Sequence, residues 1–149
     1  MEAGPINNEG IMKNTERISR LMAKLCDQQF EKEGDPWGCD NAWRGNCFEA
    51  AIVLLTEAKK KGIYLKLVHG GVCGIGHAWC EDTHHVYDMT HFNWGGTYRQ
   101  ADYYGTFKVS QPHPYTFLET CEQVVTHDHC GPWAAELLEL AGVDWEGGE

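Results

Sequence analysis

Three residues have the types and the order that nucleophilic chemistry needs: Cys47, His77 and Asp88. Cys47 follows Asn46, a good N-cap, and opens the apolar run Phe48 to Ala58, which predicts a buried helix. A thiol in a helix's first turn meets unsatisfied N–H groups and the positive end of the dipole. Both favour the thiolate, which is the nucleophile. His77 and Asp88 lie in two segments that read as a hairpin around Asp82-Thr83-His84-His85. A two- or four-residue connection pairs Trp79 with Asp88 and leaves His77 diagonal to Asp88 on the same face. A tight register pairs His77 with Asp88 directly, and an odd connection separates them. In either same-face register the aspartate can hold one imidazole nitrogen while the other serves the thiol. An acyl-enzyme also needs oxyanion donors, for which the N–H of Cys47 is one candidate. Trp43, Asn46 and Trp79 are expected to line the substrate pocket.

Other constellations are weaker. His127-Asp128-His129-Cys130 with Cys121 contains zinc-ligand types, but sits where a helix end needs polar caps. Cys80 and His84 have no companions. No C-x-x-C pair occurs, so no metal and no cofactor are expected. Glycines 70, 71, 74 and 76 precede neither Gly-Lys-Ser/Thr nor a helix start, and read as a mobile loop beside His77, not a phosphate loop. Trp37, Trp94 and Trp133 could line a groove there, with core or rim packing as the default.

The elements that must position these residues follow from periodicity. Residues 1–13 read as a loose lead-in. Ile18, Leu21, Met22, Leu25, Cys26, Gln29 and Phe30 predict a helix over 15–32, with Cys26 in the core. The Cys47 helix ends at Lys59-Lys60-Lys61-Gly62. Strands are predicted over 63–69, 77–81, 86–90 and 103–109. Thr116 with Glu119 forms a capping box for a helix to Thr126, and Gly131-Pro132 opens a last helix through Leu140. The order predicts an α+β fold with an antiparallel sheet, as one domain over 14–143 with an acidic tail over 144–149.

Composition narrows the function. The chain has 149 residues, 42% of them hydrophobic, which suits a single packed domain. No apolar run approaches the roughly 18–20 residues that span a bilayer, so no membrane association is expected. The net charge is −10, and Lys108 is the last Lys or Arg, so nucleic-acid binding is disfavoured and a basic substrate or partner would be steered. Seven cysteines without a secretion signal predict a reducing, cytoplasmic setting with mostly free thiols.

The three motifs together resemble a known group. Gly45-Asn46-Cys47-Phe48-Glu49-Ala50-Ala51, then Gly76-His77-Ala78-Trp79-Cys80-Glu81, then Val86-Tyr87-Asp88-Met89-Thr90 is similar to the core of transglutaminase-like, papain-related cysteine enzymes. Met89 stands where that group has proline. Arg44 to Glu49 also resembles the cysteine motif of arylamine N-acetyltransferases, which are much longer proteins. The resemblance implies a central Cys-bearing helix on an antiparallel sheet and a Cys47, His77, Asp88 triad. Asn41, six residues before Cys47, is then similarly placed to the oxyanion glutamine of papain-like proteases. The expectation is a thiol hydrolase (protease, amidase or deamidase) acting on a protein, peptide or small amide. An acyltransferase with an amine acceptor and a non-catalytic binding module on the same fold are the alternatives.

Overall fold

Helix α2 (Cys47–Lys60) is amphipathic in a way that fixes its neighbours: Phe48, Ala50, Ala51, Leu54, Leu55 and Ala58 are buried. In a computed structural model, which describes residues 6–33, 47–90, 96–128, 130–131 and 133, this face lies on an antiparallel sheet. Helix α1 (Ile6–Glu33) covers the same side with Ile18, Leu21, Met22, Leu25 and Cys26, the predicted stripe. Each fully buried Leu or Ile of this layer contributes about 2 kcal/mol. Burial, aided by Asp27, raises the Cys26 thiol to about 11, which suits a core residue and not a nucleophile. Helix α1 begins at Ile6, well before the predicted residue 15. Once its packed part has nucleated, adding turns at an end requires no further nucleation.

The sheet has the order β4-β3-β2-β1-β5, with β1 (Lys66–Val72), β2 (Ile75–Glu81), β3 (His85–Asp88), β4 (Gly96–Arg99) and β5 (Ser110–Tyr115). The α+β class and the antiparallel sheet agree with the sequence, but the glycine segment does not form a loop. Gly70 to Val72 and Ile75-Gly76 are strand residues, joined by a two-residue turn in which Cys73 and Gly74 both have positive φ, 53° and 84°. That is the turn type whose twist matches a hairpin. Gly70 is needed for close approach: a Cβ there would stand 3.1 Å from both Pro112 Cα and Ser110 O of β5.

The predicted strand over 103–109 is instead helix α3 (Gln100–Thr106) with its following turn. Its aromatic residues suggest a strand, but Tyr103 and Phe107 are one helical turn apart and pack together on one side. The last strand, β5, contains Pro112 and Pro114, which the edge of a sheet tolerates. Helix α4 (Phe117–His127) starts at the Thr116–Glu119 capping box, as expected. The helix predicted from Gly131-Pro132 falls largely outside the described residues. On the sheet's second face Val68, Val72, Trp79, Val86 and Tyr103 form a separate apolar cluster under α3.

Candidate active site

The connection between β2 and β3 decides whether His77 and Asp88 can meet. Cys80 pairs with Tyr87 and Glu81 with Val86, which closes the hairpin through an even turn. Asp82 holds that turn: its Oδ1 accepts from the N–H groups of His84 and His85 at 2.9 and 2.7 Å. The turn chemistry thereby sets the side-chain parity of both strands. His77 and Asp88 consequently share a face, and His77 Nε2 lies 2.8 Å from Asp88 Oδ2.

Asp88 is 0% exposed, and four contacts satisfy its carboxylate. Tyr103 of α3 donates its hydroxyl to Oδ2 at 2.6 Å, beside His77. Thr90 donates its N–H and its Oγ1–H to Oδ1 at 3.1 and 3.2 Å. A buried carboxylate so held cannot rotate without losing several charge-assisted bonds. Beneath the imidazole, Trp79 stacks with its ring centroid 6.0 Å away, and Tyr103 packs on Trp79 in turn.

Cys47 occupies the first turn of α2 and is partly buried against the α2 face of the sheet. Its thiol reaches His77 as a hydrogen-bonding neighbour. Since Nε2 faces Asp88, the ring nitrogen that can serve the thiol is Nδ1. Burial alone would lower the His77 pKa. The charge and hydrogen bond of Asp88, with smaller contributions from Cys47, reverse that effect and raise it well above 6.5. The arrangement can hold a proton on the imidazole and present a sulfur to an electrophile.

Of the predicted pocket residues, Asn41, Trp43 and Asn46 lie outside the described residues. Trp79 is 1% exposed, so it supports His77 from beneath and does not itself line an open pocket. The Cys80–His84 pair does not assemble. Cys80 is buried and donates to Ala51 O at 3.2 Å, while His84 is exposed. Among the described residues no three His, Cys, Asp or Glu side chains gather as metal ligands, and His129 lies outside that set.

Sequence reasoning missed Tyr103, because its segment reads as a strand, and gave Thr90 no role of its own. A helical reading of Tyr103-x-x-x-Phe107 was the available signal. Comparison with protein-family models, curated proteins and solved structures finds no match.

Proposed function

We propose that the protein is a cysteine-dependent hydrolase of amide or peptide bonds, with a papain- or transglutaminase-like arrangement of helix and sheet. The observation that carries this reading is a thiol at a helix start in contact with an imidazole that a buried carboxylate holds at 2.8 Å. His77 Nδ1 takes the Cys47 proton and the thiolate attacks the carbonyl carbon. The tetrahedral oxyanion is met by the N–H of Cys47 at the start of α2. The C–N bond then breaks as the imidazolium protonates the leaving amine, leaving a thioester. Water, deprotonated by His77, attacks the thioester, and the C–S bond breaks to release the acid and restore the thiolate–imidazolium pair. Asp88 orients the ring and stabilises its charged form throughout. An amine in place of water would make the same centre an acyltransferase.

The chain carries its own controls for a test. Cys73 and Cys121 are exposed thiols, whereas Cys47 is partly buried. Iodoacetamide labelling followed by peptide mass spectrometry near pH 7 should modify Cys47 at least about tenfold faster than either control, and His77→Ala should abolish the excess. Equal rates at the three thiols would remove the support for this reading.

A further inference from the structure

The hairpin parity that places His77 and Trp79 on the second face of the sheet also places Glu81 there, at the opposite end of β2. Glu81 is 8% exposed, unusually buried for a carboxylate. Three neutral groups donate to it: Trp79 Nε1–H to Oε2 at 2.9 Å, Gln100 Nε2–H to Oε1 at 2.7 Å, and the Tyr104 hydroxyl to Oε2. Burial and the Glu81 charge both raise the Tyr104 phenol, so it is a donor and not a second anion. These donors fill lone pairs but bring no positive charge. A carboxylate has about four acceptor sites, and among the described residues Oε1 accepts from Gln100 alone while Oε2 accepts from two donors.

A cavity of about 590 Å³ opens onto this carboxylate, within the size range of small-molecule sites. Tyr64, Tyr104, Pro112 and Pro114 wall it. Lys66, the cross-strand neighbour of Glu81, also lines the cavity. The site thus combines an anchored anion at the cavity wall with aromatic side chains around it, which are the elements that recognise a desolvated cation.

We propose that this cavity binds an organic cation, an ammonium or guanidinium group such as a lysine or arginine side chain. Its N–H donates to Glu81 Oε1, and its alkyl stem lies against the tyrosines and prolines. The site stands apart from the Cys47 chemistry and does not depend on it, although Trp79 touches both Glu81 and His77.

The test is titration of the full chain with L-argininamide, followed by two-dimensional NMR of the Trp79 indole and Gln100 side-chain amide. L-citrullinamide, its neutral near-isostere, is the control. Saturable shifts with argininamide only are expected. Glu81→Gln should weaken binding about tenfold or more, and Tyr64→Ala, at an exposed rim position, a few-fold. Lys66→Ala should tighten binding about threefold by removing a like charge. Absence of saturation at millimolar argininamide, or equal binding of citrullinamide, would overturn the proposal. Should Glu81→Gln fail to fold, the two rim variants decide it: unchanged affinity in both is a negative result.

Discussion

Two histidines on adjacent strands, eight residues apart, one buried and one partly buried, are driven in opposite directions. His69 on β1 is 0% exposed, packs edge-on against Phe48 with ring centroids 4.7 Å apart, and has its pKa lowered to about 4. Burial is the first cause, and the neighbouring His113 and His77 add to it. His77 on β2 also suffers a burial penalty, but the Asp88 carboxylate outweighs it and the pKa rises well above 6.5. Burial therefore does not distinguish a candidate base from a core histidine. A fixed carboxylate does, and here it is fixed by Tyr103 and Thr90. The stability consequences also oppose each other. His77, raised above its unfolded value, contributes stability that is complete below about 6.5 and is lost as pH climbs through its folded pKa. His69, depressed, loses stability as pH falls from about 6.5 toward 4.

The largest effect is expected from Asp88→Asn, which should turn His77 into a second His69. Without the carboxylate charge, only the smaller contributions of Cys47 oppose burial, so the His77 titration followed by NMR should move below 6.5. Cys47 alkylation near pH 7 should fall about 100-fold, because the amide cannot stabilise the imidazolium. Breaking this buried pair should also cost about 3 kcal/mol of stability. A His77 that still titrates above 6.5 would show that Asp88 is not what separates the two histidines.

His69→Leu tests the other side. In the parent, the gap between about 6.5 and about 4 corresponds to at most about 3 kcal/mol lost on acidification. Urea unfolding at pH 7 and pH 4 should show a smaller difference in the variant, by up to that amount. Equal acid sensitivity in both proteins would mean that the depressed histidine lies elsewhere.

Much of this contrast was legible beforehand, and what was not has a physical cause. The stripe of α1 is a strong periodic signal, and Ile18, Leu21, Met22, Leu25 and Cys26, which the spacing picks out, are buried. The same-face relation of His77 and Asp88 was readable because side-chain parity survives any even turn. The glycines of 70–76 misled because composition marks a loop, whereas close packing against Pro112 and a positive-φ turn need glycine for different reasons. Tyr103 was hidden because its contact with Asp88 joins residues 15 apart through a helix whose aromatic content mimics a strand. His69 and His77 are both strand histidines beside glycine, and what singles out His77 in the sequence is the aspartate that hairpin parity brings to it.

Tyr103→Phe should sharpen the contrast with little loss of fold. The phenol is 0% exposed and shares Oδ2 with His77, so it draws part of the carboxylate charge away from the ring. Its removal should raise the His77 pKa further and cost about 1–2 kcal/mol by denaturant unfolding. Alkylation of Cys47 should change less than tenfold, since the ring keeps its carboxylate. A fall in the His77 pKa would instead mean that the phenol mainly aims the carboxylate.

The smallest effect belongs to Thr90→Val, which distinguishes the two oxygens of Asp88. The threonine hydroxyl donates to Oδ1 at 3.2 Å, the oxygen that His77 does not use, and the backbone N–H at 3.1 Å remains in the variant. The expected cost is about 1 kcal/mol or less, measured by unfolding in urea. The His77 titration should move in the same direction as in Tyr103→Phe, but by less, because the lost hydroxyl is bonded to the remote oxygen and meets His77 Nε2 only at 3.5 Å. The order Asp88→Asn, Tyr103→Phe, Thr90→Val in effect on His77 follows from a carboxylate that acts first as a charge and second as an oriented group. If Thr90→Val exceeds Tyr103→Phe, orientation through Oδ1 dominates, and His77 differs from His69 by alignment more than by charge.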